Sequence, residues 1–330
     1  MLKLSPASYQ RLSQANQMMV EYAGAEANVA VSLANYGIET TYVSRLPQNA
    51  LGDAAINTLR HYGVGIDNVC RGGERIGIYF VEKGAAQRPS KVIYDRTNSA
   101  IACSVPDDFD WEHILDGADW FHFTGITPAL SDTLAQACLE ACETARRKGV
   151  TVSCDLNYRK KLWSNEKAGK VMENLCQHVD VCIANEEDAQ AVFGIMAPKS
   201  DASRGLIDAE GYKSVARQLA ARFAFKHVAI TLRESISASD NIWWAILFDG
   251  HEFYNTRKYN IHLVDRIGGG DAFGAGLIYG LLTLGSPQET IDFATAASCL
   301  KQTIEGDFNQ VSVQEVLDLM HNGGAGRIVR

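Results

Sequence analysis

Three features of the sequence predict an α/β fold. From Asp119 onward, β-rich runs alternate with helical periodicity, which implies a mostly parallel central sheet with helices on both faces. Between Gly77 and Arg96 the pattern is extended twice with no helix between, so an antiparallel hairpin interrupts the alternation and belongs to a small second sheet. Late in the chain, Gly268-Gly269-Gly270 stands directly before Asp271 and an apolar pattern at helix spacing: Phe273, Leu277, Gly280, Leu281 and Leu284. With 330 residues, 46% of them hydrophobic and 9% aromatic, the chain can bury a substantial core as one large domain or two smaller ones.

Taken in order, Met1 to Tyr22 is polar with scattered Leu, Met and Val, and reads as short strands or irregular structure. Ala25 to Tyr36 reads as a helix with a small-residue stripe (Ala27, Ala30, Val31, Ala34) that Gly37 ends. A short strand at Thr40–Ser44 precedes a helix from Gly52 to Tyr62. The hairpin pairs Ile76–Glu82 with Lys91–Arg96 across a turn rich in Gly, Ala and Pro. Strand Trp120–Thr124, helix Pro128–Lys148, strand Val150–Leu156, helix Glu166–His178 and strand Val181–Ala184 follow. A short helix, Glu186–Phe193, leads into a loop from Gly194 to Ser203 that contains Pro198. Helix Tyr212–Phe223 and strand Val228–Leu232 come next, then a hairpin of Trp243–Phe248 with Glu252–Tyr254. Helices Asp271–Leu284, Gln288–Gln302 and Val313–Met320 close the chain, which shows no internal repeat.

Composition excludes several classes of function. A formal charge of -8 argues against nucleic acid as the main partner, because a phosphate backbone demands a basic face. No secretory signal or membrane-spanning run is present, so a soluble cytoplasmic protein without a membrane partner is expected. The eight cysteines sit mostly in apolar runs with no CxxC pair, and read as reduced core residues.

The glycine stretch offers the first candidate chemistry. Glycines let a ligand approach the backbone, and the free N–H groups of a helix start seat an anion. Asp271 there is either an ordinary first-turn acid or a base that deprotonates a hydroxyl attacking a phosphoryl group. Ligands of open α/β sheets gather at the carboxyl ends of strands. Polar residues follow several predicted strands: Asn157-Tyr158-Arg159, Asn185-Glu186-Glu187-Asp188, and Arg233-Glu234-Ser235. Arg159 is a surface cation or a fork for a carboxylate or phosphate. Asn185 and Asp188 either begin a helix or hold a hydrated Mg²⁺ near phosphates. Tyr94 and Arg96 share one strand face, as surface residues or as a clasp on an anionic, hydroxylated substrate. Among Gly24, Glu26 and Asn28 at the first helix, capping accounts for Glu26 but less readily for Asn28. GxxxxGK[ST], GxGxxG after the first strand, HExxH and paired-cysteine zinc patterns are all absent.

These residues resemble a known family. Gly268-Gly269-Gly270-Asp271-Ala272-Phe273 is similar to the second signature of the PfkB (ribokinase-like) sugar kinases, and Gly24-Ala25-Glu26-Ala27-Asn28-Val29-Ala30 to the first. Asn185–Asp188 resembles the family's Asn-x-x-Glu magnesium motif. Within the family, Ile78-Tyr79-Phe80, Arg88–Arg96, Asp155–Arg159 and Asp265–Asp271 look like the 2-keto-3-deoxygluconate kinase subgroup. The resemblance implies one ribokinase-like domain over 1–330 with a β-sheet lid from about 4–22 and 70–98. It implies ATP and Mg²⁺ as cofactors and phosphorylation of a C6 hydroxyl. Gly24, Asn28, Tyr79, Tyr94, Arg96, Arg159 and Asp307 would then hold the sugar acid, with Asp271 as base. The nucleotide would lie along Asn157, Arg159, Thr231, Arg233, Ser235 and Gly268 to Gly270, with Asn185 and Asp188 at the metal. A fructokinase-like enzyme, one accepting the galactonate-derived keto acid, and a non-catalytic sugar-acid sensor are the alternatives. A homo-oligomer is expected, with Ile76, Ile78 and Phe80 as an apolar lid face.

Three departures from the family pattern are visible. Relatives carry a strand ending in Gly-Glu ahead of Leu2-Lys3-Leu4-Ser5-Pro6, so the first strand of the central sheet is expected to be shortened or absent. Ala25 stands where Gly is usual, and Asp188 where Glu is commoner.

Overall fold

The computed structural model describes residues 1–197 and 208–323, so most of the predicted loop Gly194–Ser203 lies outside the described residues. The chain opens with β1 (Leu2–Ser5), β2 (Met19–Tyr22) and α1 (Ala25–Asn35). Next come β3 (Ser44–Leu46), α2 (Ala50–His61), β4 (Val69–Arg71), β5 (Ile78–Glu82) and β6 (Lys91–Asp95). After α3 (Trp111–Ile114), the alternating half begins with β7 (Trp120–Thr124), α4 (Asp132–Lys148), β8 (Thr151–Asp155), α5 (Asn165–Cys176) and β9 (Val181–Ala184). It continues through α6 (Asp188–Phe193), α7 (Ala209–Phe223), β10 (His227–Ser235), β11 (Asp240–Phe248), β12 (Phe253–Asn255) and β13 (Tyr259–His262). The last helices are α8 (Gly269–Thr283), α9 (Pro287–Lys301) and α10 (Val313–Asn322). Their starts follow capping chemistry: Asn49, Ser131, Ser286 and Ser312 each accept a bond from a first-turn N–H with the side chain.

The seven-stranded main sheet has the order β12-β11-β10-β9-β8-β7, with β13 also on β11. Strands β7 to β10 are parallel, and β11 turns back antiparallel. One face packs α4, α5 and α7 over a core that includes Met172, Leu175, Leu219 and Ile230. The other packs α8 and α9 over Ile183, Ala229 and Phe273, with α1 against α8. The near-continuous apolar run of β9 is what burial on both faces demands.

The small sheet has the order β2-β1-β5-β6, with β1 parallel to β5 and antiparallel to β2. Residues Leu2–Ser5 therefore build this sheet, and the main sheet stops at β7. Strands β3 and β4 form a separate parallel pair. Residues of β3 and β7 line the same cavity, about 1000 Å³, as the residues of the cleft between the sheets.

Several sequence expectations change. The strand expected at Thr40–Ser44 is shifted to Ser44–Leu46, with only a single bridge from Thr41 to Gly65 before it. Strands β4 and β13 and helix α3 were not anticipated; each is too short to show a period. Strand β10 does not end at Leu232 but runs to Ser235, paired with β11 throughout. Past Ile230 it has no partner on its β9 side, which is why polar residues are tolerated there. The expected apolar lid face is also different. Ile76 is buried against Leu46 and Ile56, and Ile78 packs on the same cluster. The outer row in register across the small sheet is Val20, Leu4, Phe80 and Ile93, with Val20 and Ile93 exposed.

Candidate active site

The carboxyl ends of β7, β8 and β9, the start of α8 and the inner face of the small sheet converge on one cleft. Helix α8 begins at the glycines as predicted, with Gly268 as its N-cap. Gly268 has φ +81°, and a Cβ there would sit 2.0 Å from the Asp307 carbonyl oxygen, so only glycine fits. A Cβ on Gly270 would meet nothing within 4 Å, since that residue faces open cleft. The N–H groups of Gly268, Gly270 and Asp271 have no hydrogen-bond partner among the described residues. Free amides at the positive end of a 15-residue helix form a seat for an anion.

Asp271 lies in the first turn of α8, and Asn28 Nδ2 donates to its carboxylate at 2.6 Å. Burial pushes its pKa up to about 7, the Asn28 bond opposing and the charges of Asp307 and Glu26 adding to the rise. Such a group holds a proton weakly enough to lose and strongly enough to gain near neutrality, as a general base requires. Asn28 is itself buried and fixed by the Gly24 N–H, 3.3 Å from its Oδ1. First-turn position and basicity are thus both present.

Arg96 is 8% exposed, with its guanidinium 4.3 Å over the Tyr94 ring and its buried Nε unbonded. No carboxylate pairs with it among the described residues. Burial lowers its pKa. A buried cation without a counter-ion is costly unless a ligand supplies one. Tyr79 and Tyr94 stack at 6.1 Å on adjacent strands, facing the cleft.

Asp307 is held differently. It accepts from Lys3 Nζ at 2.6 Å and Tyr79 Oη at 2.5 Å, and all three are buried. Lys3 also meets Glu21 at 2.9 Å and Asp265 at 3.6 Å. Burial pulls the Lys3 pKa down, but these carboxylates outweigh it and the net shift is upward. Asp307 therefore ties β1 and β5 of the small sheet to the main body. The signal in the sequence was a lone lysine alternating with leucine in Leu2-Lys3-Leu4, and it was missed.

At the nucleotide end, Asn157 has φ 41°, a conformation Asn tolerates, and its Nδ2 donates to Asp155 at 3.2 Å. Burial pushes Asp155 well above the usual carboxylate range, and Asp188 and Asp271 add to it. Arg159, Thr231 and Arg233 line the cleft, and Arg233 pairs with Glu186 at 2.9 Å. Ser235 does not: it is exposed, outside the cleft, opposite Asn241 in β10–β11. Asp188 is 2% exposed and also outside the lining; its two oxygens accept the N–H groups of Tyr158 and Asn185, each at 3.0 Å. Asn185 Oδ1 accepts from Glu187 and Asp188, so these residues brace the β9–α6 turn while Asn185 itself lines the cleft. No group of three or more His, Cys, Asp or Glu residues could hold a metal among the described residues. A hydrated Mg²⁺ carried by phosphates needs only one or two protein ligands; Asn185 Oδ1 is already taken by two N–H groups, and the oxygen left free among the described residues at this cleft wall is Glu186 Oε2.

Glu26 does not cap its helix. Its Oε1 accepts from the Thr124 N–H, Thr124 Oγ1 and Thr127 Oγ1 at 3.2, 2.8 and 2.7 Å, pinning the end of β7 to α1. The remaining expected residues, Gly24, Asn28, Tyr79, Tyr94, Arg96, Arg159, Asp271 and Asp307, all border the one cavity.

Comparison with known proteins identifies the family and the fold. A curated relative from Haloferax volcanii, a 2-dehydro-3-deoxygalactonokinase, is 36% identical over 99% of this chain and 96% of its own. The 2-dehydro-3-deoxygluconokinase of Thermoproteus tenax is 30% identical over 86% of this chain and 80% of its own. The crystal structure of Thermotoga maritima 2-dehydro-3-deoxygluconokinase superposes with a TM-score of 0.93 at 50% identity, covering 97% of this chain and 95% of that one. The pfkB family carbohydrate kinase model matches residues 1–311. With the anion seat, the candidate base and the two-sheet cleft in place, this chain belongs to the pfkB family of carbohydrate kinases.

Proposed function

We propose that the protein transfers the γ-phosphoryl group of MgATP to the C6 hydroxyl of a 2-keto-3-deoxy sugar acid, 2-keto-3-deoxygluconate first. Asp271 takes the hydroxyl proton as the oxygen attacks phosphorus. The bond from phosphorus to the β–γ bridging oxygen breaks and ADP leaves. The amides of Gly268, Gly270 and Asp271 meet the charge spread over the transferring phosphoryl oxygens. Mg²⁺ neutralises phosphate charge, and the small sheet over the cleft keeps water from the phosphoryl group.

The observation that carries the acid substrate is Arg96, a buried guanidinium with no counter-ion among the described residues, beside the cleft that Arg159 also lines. A neutral sugar would leave it uncompensated; a carboxylate supplies the missing charge. Similarity to both a gluconate-type and a galactonate-type kinase keeps the two C4 epimers together in the proposal. Coupled assays with both epimers, fructose and ribose test it. Turnover of the keto acids and little of the neutral sugars is expected; turnover of neutral sugars alone would refute it, and tight binding with no turnover would favour a sensor.

The proposal includes a reducing cytoplasm, which suits eight free thiols, six of them buried. Among the described residues no helix is long and apolar enough to cross a membrane. It also includes self-association through the Val20–Leu4–Phe80–Ile93 row, to be tested by sedimentation of wild type and Ile93→Lys.

A further inference from the structure

Lys301, the last residue of α9, is completely buried, yet its ammonium has no carboxylate within salt-bridge distance among the described residues. It donates to two main-chain carbonyls: that of Asp265 at 3.2 Å and that of Ile267 in a still closer contact. Both belong to the loop that delivers Gly268 to the start of α8. A buried ammonium held by two carbonyl dipoles is expensive to keep, and a hydrophobic side chain of similar length would serve packing alone.

The peptide geometry shows what this contact controls. The Ile267 carbonyl and the Gly268 N–H belong to one planar trans unit, so they point in opposite directions. Holding the carbonyl oxygen toward α9 turns the Gly268 N–H away from it, and that N–H is one of the three left free. A cation on the carbonyl also polarises the unit and strengthens the N–H as a donor. Other bonds brace the loop, and the two that flank this contact are these: Ser298 Oγ, also from α9, donates to the Gly269 carbonyl at 2.7 Å, and the Ile267 N–H donates to the Asp265 carboxylate at 3.2 Å. Neither reaches the Ile267 carbonyl.

We infer that Lys301 is a positioning residue, a tethered cation that sets the orientation of the phosphoryl-binding amides and makes a dissociable monovalent cation unnecessary for ordering them. The inference rests on the proposal that the amides of Gly268 to Asp271 receive the transferring phosphoryl group.

Two variants and two readouts test it. In Lys301→Ala, kcat with MgATP and the keto acid should fall on the order of 10²-fold, the loss typical of a misplaced oxyanion donor, while KM for the acid changes by less than about threefold. Propylammonium chloride should restore at least about tenfold of that loss by refilling the vacated channel, and tetramethylammonium chloride at equal strength should not. Wild type should run at the same rate in potassium and in tetramethylammonium buffers. Lys301→Met, nearly isosteric and neutral, preserves packing if the alanine variant unfolds, and should show the same kcat loss. The second readout needs no sugar: calorimetric affinity for MgADP with aluminium fluoride should fall in both variants, MgADP alone being unaffected. Unchanged kcat and fluoride affinity in Lys301→Met, or a wild-type rate that collapses without potassium, would overturn the inference. If wild type phosphorylates no keto acid but the fluoride result holds, the substrate proposal fails and the role of Lys301 stands.

Discussion

Two carboxylates face the same cleft and are held in opposite ways. Asp271 has a neutral amide donor, Asn28, and a helix start behind it; Asp307 has a buried ammonium and a phenol hydroxyl. A carboxylate that is buried with a neutral donor as its main support keeps its affinity for a proton, and the value near 7 for Asp271 follows from burial, with Arg159 only a lesser opposing charge. One committed to an ammonium becomes a tie instead, and Asp307 fastens the small sheet to the main body. Position in the cleft therefore does not decide role; the partner does.

Removing the base should be the largest effect. Asp271→Asn keeps the shape and the Asn28 neighbour but cannot accept the proton, so kcat should fall by about 10³-fold or more. Its thermal stability should equal or exceed that of wild type, because an uncharged group replaces a carboxylate that burial disfavours. Steady-state rates and a melting curve on one preparation check both; a variant that loses both activity and stability would make Asp271 a structural acid like Asp307.

The mirror experiment is Lys3→Met. It leaves Asp307, Glu21 and Asp265 without their shared cation, a loss of about 3–5 kcal/mol by analogy with other broken buried pairs. Urea denaturation should show the drop in midpoint. The sugar-acid KM should rise more than kcat falls, since the small sheet loosens while Asp271 stays in place. A large kcat loss at unchanged KM would erase the contrast between the two acids.

The contrast also explains what the sequence made legible. The α8 site is local: three glycines, an acid and a helical pattern lie within a dozen residues, so its position and chemistry could be read together. Strand ends with Asn157, Arg159 and Asn185 were equally readable, because alternation fixes where parallel strands stop. The Asp307 tie joins residues 3, 79 and 307, and no local pattern links them. Glu26 was misjudged for the same reason, since its partners sit at Thr124 and Thr127. Lys301 carries no mark in the sequence, and only its burial against two carbonyls sets it apart. Ser235 differs in another way: it does end β10, but that strand runs on past the last β9 partner at Ile230, which carries its end away from the cleft.

A smaller effect separates binding from chemistry on the small sheet. Arg96→Ala should raise KM for the keto acid by on the order of 10²-fold, about 1.5–3 kcal/mol for a bond to a charged group, and leave any neutral sugar untouched. Equal losses on acid and neutral sugars would show Arg96 to be packing for Tyr94.

The smallest effect is the most specific. The folded-state pKa of Asp271, about 7, lies above its unfolded value of 3.8, so the folded protein binds the extra proton between those limits. Its stabilising contribution is complete below about 3.8 and is lost as pH rises through about 7. Activity must run the other way, since only the ionised carboxylate accepts the hydroxyl proton: kcat/KM should rise about tenfold per pH unit below 7 and level off above it. Asp271→Asn should abolish the activity limb and remove Asp271's own share of the stability slope, leaving the share of Asp155 in place. A Lys3→Met protein that still folds should keep a rising limb moved to higher pH, because the Asp307 charge that already raises the Asp271 pKa then acts without the ammonium that offsets it.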